Sequence, residues 1–124
     1  MNPVISWFEI PTADFERGIR FYETVLGVSL KREDMGPMHM ALFPYEEGAA
    51  AGGAVIHMEG GQAPGPTGCV VYLFGGDDLS APLARVEAAG GVITVPKTAI
   101  PGEMGYFAVF RDTEGNHVGL YSQH

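Results

Sequence analysis

The sequence predicts an α+β fold of two tandem βαβββ modules, forming a curved mixed sheet around a cavity with the helices on its outer face. Three observations predict it. The order strand, helix, three strands occurs twice. Met40-Ala41-Leu42-Phe43 in the first half is echoed by Phe107-Ala108-Val109-Phe110 at the corresponding place in the second. Between the halves, Glu59 to Thr67 is dense in Gly and Pro and has no periodicity, the mark of a linker. The expectation is therefore a single domain over residues 1–124, with one module at 3–58, a linker at 59–67 and a second module at 68–122.

In the run from Val4 to Ile10, Phe8 and Ile10 alternate with Trp7 and Glu9, as in a half-buried strand, and Pro11 ends it. Thr12 or Asp14 caps a helix on which Phe15, Ile19, Tyr22 and Leu26 recur at helical spacing until Gly27 stops it. Val28 to Arg32, Met38 to Phe43 and Gly53 to Met58 then read as strands separated by turn residues. After the linker, Cys69 to Phe74 is a strand rich in β-branched and aromatic residues, and Leu79, Leu83, Val86 and Ala89 mark a helix that ends at Gly90-Gly91. Val92 to Val95, Tyr106 to Phe110 and His117 to Tyr121 complete the second module. A half-sheet with one helix covers only one of its faces, so the uncovered faces are expected to curve around a shared cavity.

Composition excludes several function classes. With 46% hydrophobic and 18% charged residues the chain can build a core and is not a disordered segment. Seven Lys+Arg against 15 Asp+Glu give a net charge of -8, which repels phosphate backbones and anionic lipid surfaces, so neither nucleic acid nor membrane is expected as a partner. The single cysteine, Cys69, rules out an internal disulfide and a paired-thiolate zinc site. No apolar run is long enough to span a bilayer, and Met1-Asn2-Pro3 does not open a leader peptide, so a cytoplasmic protein is expected.

Phe21-Tyr22 followed by Val25-Leu26-Gly27, then Arg85-Val86-Glu87-Ala88-Ala89-Gly90-Gly91, then Asp112-Thr113-Glu114-Gly115-Asn116, set within the βαβββ repeat, resemble the vicinal oxygen chelate superfamily. That superfamily includes glyoxalase I, bleomycin-resistance proteins and extradiol dioxygenases, and the chain is most similar to its small glyoxalase-like members. The resemblance implies a homodimer. It also implies a divalent metal held by one side chain from the first and last strand of each module. Carried onto this sequence, those positions fall on Trp7, on His57, on Cys69, Val71 or a neighbour, and on Gly119. Trp7 offers no lone pair and Gly119 no side chain, so the four-ligand site is not expected and no cofactor takes its place. A divalent metal would need a rearranged site using His57, for instance with Glu9 and His117.

The candidate catalytic residues are Glu9 and His57. Glu9 shares a strand face with Trp7, and His57 shares one with Val55 that is expected to look into the cavity. His117 and Tyr121 flank Gly119 at period two on the cavity side of the last strand. With Tyr72, Met104 and Tyr106 these residues form the expected ligand-binding set: Trp7, Glu9, His57, Tyr72, Met104, Tyr106, His117 and Tyr121. Ile100 to Gly105 is a Gly/Pro loop placed to border the pocket mouth as a lid. Each has a structural alternative: a hydrogen-bonded histidine for His57, an ion-paired carboxylate for Glu9, core packing for the methionines and aromatics.

The functional reading is a glyoxalase/bleomycin-resistance-like protein that binds a small, partly apolar or aromatic molecule without the usual metal. The alternative is a metal-dependent glyoxalase-like lyase, isomerase or dioxygenase with a rearranged site using His57. A third is metal-free proton transfer by Glu9 and His57.

Overall fold

The computed structural model describes residues 4–46 and 51–124. Met1-Asn2-Pro3, on which the leader-peptide reading rests, and residues 47–50 of the first module lie outside the described residues.

The elements run β1 (Trp7–Pro11), α1 (Phe15–Leu26), β2 (Lys31–Met35), β3 (Met38–Leu42), β4 (Gly52–His57), β5 (Val71–Phe74), α2 (Ser80–Leu83), β6 (Val92–Ala99), β7 (Tyr106–Arg111) and β8 (His117–Ser122). They form two four-stranded sheets, ordered β1-β4-β3-β2 and β5-β8-β7-β6. In each sheet the first strand of the module lies parallel to the last, and the remaining pairs are antiparallel. This is the βαβββ order twice, an α+β fold of two tandem modules.

Asp14 caps α1 by accepting from the Arg17 backbone N–H, and Gly27 closes it in the left-handed region at φ 66. β2 starts at Lys31 rather than Val28, because Val28 and Leu30 pack against the core from the connection before it. The strand itself, Lys-Arg-Glu-Asp-Met, is exposed throughout and forms a charged sheet edge that resists pairing with other chains. α2 is shorter than its apolar spacing predicts. After Leu83 the backbone bonds of Arg85 to Pro82 and Val86 to Leu83 are those of tighter turns, yet Leu79, Leu83 and Val86 are all buried. β6 runs on to Ala99, with register shifts on either side of Val95 and Pro96 inside the strand, where no N–H is available to the ladder.

One apolar core joins the modules. Ile19, Phe21, Tyr22 and Val25 of α1 pack with Ile10, Ala41 and Val55 of the first sheet and with Phe110, Val118 and Leu120 of the second. Burial of each such side chain contributes about 1.5–3 kcal/mol relative to exposure. A smaller cluster of Met40, Ala54 and Ile56 lies on the opposite face of the first sheet.

The turn between β7 and β8 clasps α1 to the second module. Tyr22 donates its hydroxyl to Asp112 at 2.7 Å, and Glu114 accepts from the backbone N–H groups of Ala13 and Asp14 at 2.9 and 2.7 Å. Asn116 donates to the Pro11 carbonyl at 2.9 Å. Burial drives the Tyr22 hydroxyl well above its ordinary pKa, and the Asp112 charge adds to the shift. Burial pushes the Glu114 carboxyl upward as well, but the hydrogen bonds from Arg17, Asp14, Thr113 and Ala13 outweigh it and hold the carboxyl below its ordinary value. Among the described residues no helix is long and apolar enough to cross a membrane.

Candidate functional site

Strand register fixes which side chains face away from the shared core. In β1 these are Trp7 and Glu9, in β5 Tyr72 and Phe74, and in β8 His117, Gly119 and Tyr121, while Phe8, Ile10, Leu73, Val118 and Leu120 point to the helices. On this open face the two modules repeat one arrangement. Trp7 pairs with Gly52 and Tyr72 pairs with Gly119. A methyl group at Gly52 would meet the rings of Tyr45 and Trp7 at 2.6 and 3.2 Å, and one at Gly119 would run into the Tyr72 ring. Each glycine is the seat of an aromatic ring from the neighbouring parallel strand.

Three clefts are built on these elements. Tyr72, Phe74, Ile100, Phe107 and Tyr121 line an aromatic cleft of about 520 Å³ on the open face of the second sheet. Tyr72 meets Phe107 edge-on at 6.2 Å between ring centroids. The Tyr121 hydroxyl donates to the Met104 carbonyl at 2.7 Å and so ties the loop of residues 100–105 to β8. In that loop Glu103 sits at φ 58, a left-handed conformation that costs a non-glycine residue roughly 1 kcal/mol.

The second cleft, about 1420 Å³, opens between Val4, Ile5 and Phe8 at the start of β1 and the run from Cys69 to Asp78 that contains β5. The third, about 260 Å³, lies between Glu9, Ile10 and Pro11 at the end of β1, Cys69 to Val71 at the start of β5, and Asn116 to Val118, under residues 62–68. The linker is pinned there by the Gly65 N–H, which donates to the Asn116 side-chain oxygen at 3.1 Å.

The structure assigns the expected site residues as follows. Tyr72 and Tyr121 meet in the aromatic cleft, and Glu9 and His117 share the third cleft. Glu9 is exposed at a strand edge and accepts from the Trp7 indole N–H at 3.3 Å. Trp7 lines none of the three clefts. The orientation expected for His57 is corrected: it shares a face with Val55, but that face is the helix side, and Nδ1 bonds the Thr12 carbonyl at 2.9 Å. Glu9 and His57 consequently stand on opposite faces of the first sheet. Tyr106 is turned toward the core side, with the Lys97 ammonium 4.5 Å above its ring, and Met104 is exposed in the loop without lining the aromatic cleft. Gly119 makes room for the Tyr72 ring.

Phe74, Ile100 and Phe107 line the aromatic cleft without belonging to the expected set. Phe74 carried a sequence signal, since it follows Tyr72 at period two, whereas Phe107 is brought in by its register opposite Tyr121 in the β7–β8 ladder.

The positions implied for a metal do not form a ligand set. Trp7, Tyr72 and Gly119 on the open face present no imidazole or carboxylate, the Tyr72 ring fills the space over Gly119, and His57 points to the other side of its sheet. Cys69, exposed before the start of β5, lies at the strand edge. Among the described residues no three His, Cys, Asp or Glu side chains converge on a common point.

The family model described as Glyoxalase/Bleomycin resistance protein/Dioxygenase superfamily matches residues 4–120. The chain is 29% identical over 107 residues to a lactoylglutathione lyase from Haemophilus influenzae, covering 82% of this chain and 79% of that protein. Among solved structures it is similar to an antibiotic binding protein from Streptomyces, with TM-score 0.68 and 24% identity over 97% of this chain and 95% of that one. It is similar also to glyoxalase I from Zea mays, with TM-score 0.70 and 23% identity, covering 94% of this chain but only 45% of the maize chain.

Proposed function

Because this chain belongs to the glyoxalase/bleomycin resistance protein/dioxygenase superfamily, we propose that it binds a flat, apolar or aromatic small molecule in its aromatic cleft without the family's metal. The observation that carries this reading is the open face itself. Of the positions the resemblance assigns to metal ligands, Trp7 is a ring against Gly52 and Gly119 is the seat of the Tyr72 ring, and that Tyr72 ring forms a wall of the cleft with Phe107 and Tyr121. Stacking and dispersion on such walls hold a planar molecule without ligation. The likeness to the Streptomyces antibiotic binding protein supports a sequestering role.

The working unit in this reading is a homodimer. Val4, Ile5, Val70 and Phe74 are exposed apolar residues around the second cleft, flanked by the edges of β1 and β5 that pair with no strand among the described residues, and a second copy would cover them. Phe74 also lines the aromatic cleft, so association would wall in the bound molecule. Sedimentation equilibrium is expected to give a dimer that Phe74→Glu dissociates.

The test of binding is calorimetric titration with a panel of planar aromatic compounds. At least one should bind saturably, and Phe107→Ala should weaken it tenfold or more. Binding unaffected by Phe107→Ala and Tyr121→Ala would reject the cleft. The likeness to a lactoylglutathione lyase favours a second reading, a metal-dependent lyase or isomerase. Elemental analysis after incubation with iron, manganese, nickel and zinc separates the two, since stoichiometric retained metal requires the second.

A further inference from the structure

Half of the chain's six methionines fall between Met35 and Met40. β2 ends on Met35, β3 begins on Met38, and only Gly36 and Pro37 lie between them. A turn this tight needs a positive φ at its first central position, which Gly36 supplies at 59, while the Pro37 ring restricts φ at the second. The turn fixes the register, so Met35 and Met38 stand directly opposite each other with Cβ atoms about 5 Å apart. Met40 follows Met38 at period two on the same face, about 7 Å further along β3. That face is the open one, where Met38 packs against the cluster of Met40, Ala54 and Ile56. His39, between them, is turned to the helix side, its ring 5.9 Å from that of Phe15 and its Nδ1 2.9 Å from Asp34. Met58, beyond the end of β4, turns its methyl onto Gly61.

Neither strand propensity nor core packing accounts for the three. Strands favour β-branched and aromatic side chains. Met35 is the one apolar residue of β2 and is 58% exposed, so it fills no core. What Met35, Met38 and Met40 have in common is a thioether sulfur, a soft donor with no proton to lose.

We propose that Met35, Met38 and Met40 form a site for copper(I), a soft monovalent cation, held by their three thioether sulfurs. Thioether ligands select copper(I) over the harder divalent ions. Each sulfur ends a flexible, unbranched stem beyond Cβ, so Cβ atoms within about 7–8 Å of one another can deliver their sulfurs to one ion without moving the backbone. The set is graded from water inward: Met35 is 58% exposed, Met38 half-buried and Met40 8% exposed. The ion therefore enters at the hairpin, and Met38 changes rotamer to let Met40 reach it from the inner side. Glu33, directly opposite Met40, adds a carboxylate at the margin, partly offset by Lys31 at 4.0 Å, and the net charge of -8 favours a cation. This site is independent of the aromatic cleft and of the positions implied for a divalent metal, and it stands or falls apart from both.

The probe is copper(I) itself, supplied without oxygen from its bicinchoninate complex with ascorbate present. Cys69→Ser protein is used throughout, because the exposed thiol of Cys69 would take the same ion. Methionine methyl NMR signals, assigned by their loss in single Met→Leu variants, show which thioethers bind. One equivalent of copper(I) should shift the methyl signals of Met35, Met38 and Met40 and leave that of Met104 in place. Met35→Leu, a change at an exposed position, should weaken competition with the chelator about tenfold or more, the least that loss of a ligand is expected to cost when outer-shell changes already cost that much. Met104→Leu should leave it unchanged. After correction for the chelator's own titration, affinity should stay constant from about pH 5.5 to 7.5, since thioethers do not titrate, whereas a histidine site loses metal in acid. Zinc should shift none of the three signals. The proposal is overturned if Cys69→Ser protein takes no copper(I) from the chelator, or if the bound ion leaves any of the three signals unshifted. It is overturned equally if acid releases the ion, if zinc shifts the same signals, or if Met104→Leu weakens binding as much as Met35→Leu.

Discussion

Arg17 and Glu114 stand 97 positions apart in sequence and are joined by two hydrogen bonds, from Nε at 2.6 Å and from Nη2 at 3.1 Å. The Glu114 carboxylate is fully buried while Arg17 keeps 46% of its side-chain surface in water. The pair, with the backbone donors of Ala13 and Asp14, fastens the start of the helix in one module to a turn in the other.

Glu114→Ala is expected to cost about 2–3 kcal/mol of stability, chiefly because two backbone N–H groups lose their acceptor. Arg17→Ala should cost less, since its charge is half solvated. Urea denaturation checks both, and equal costs would contradict this division of labour.

Acid should weaken the same clasp. The Glu114 carboxyl is held below its ordinary pKa in the folded protein, so its contribution is fully present above the unfolded value of about 4.3 and is lost as pH falls through the folded value. The stability of the parent should drop below about pH 4.3 more steeply than that of Glu114→Gln. Parallel acid limbs in thermal melts would remove Glu114 from the account.

Gly119→Ala should destabilise by about 1–3 kcal/mol and disturb the aromatic cleft, because a methyl group there meets the Tyr72 ring. In a Tyr72→Ala background the same change should be nearly neutral, giving a coupling of at least about 1 kcal/mol. Additive costs in the double mutant would mean that the ring does not depend on this glycine.

His57→Ala should cost about 1 kcal/mol through loss of its bond to the Thr12 carbonyl, and leave aromatic ligand binding unchanged. Lost binding at full stability would return His57 to the site.

The fold was legible in the sequence because each half repeats the change from two-residue to helical spacing, and because Gly27 and Gly90 mark where the helical spacing ends. β2 was misplaced because its five residues are exposed on both faces and carry no alternation to read. The site was legible only in part. Trp7, Glu9, His117 and Tyr121 lie in strands whose two faces differ, so parity placed them on the open face. β4 is buried from Gly52 to Ile56 on both faces, and nothing in such a strand says which face meets the helices, so His57 was assigned to the wrong side. Tyr72 over Gly119 is a contact between strands 47 positions apart by number, as Tyr72 and Gly119 themselves show, and no local pattern encodes it.

The seat of Tyr72 on Gly119 also constrains how this chain could change its chemistry over generations. A carboxylate at position 119, where the resemblance calls for a metal ligand, cannot enter without displacing the Tyr72 ring, because a side chain larger than hydrogen meets it there. Moving the ring aside, or making position 72 small, dismantles a wall of the aromatic cleft as the ligand is gained. The cleft and a metal ligand on that strand are thereby alternatives, and a lineage that passes through this arrangement gives up one to acquire the other.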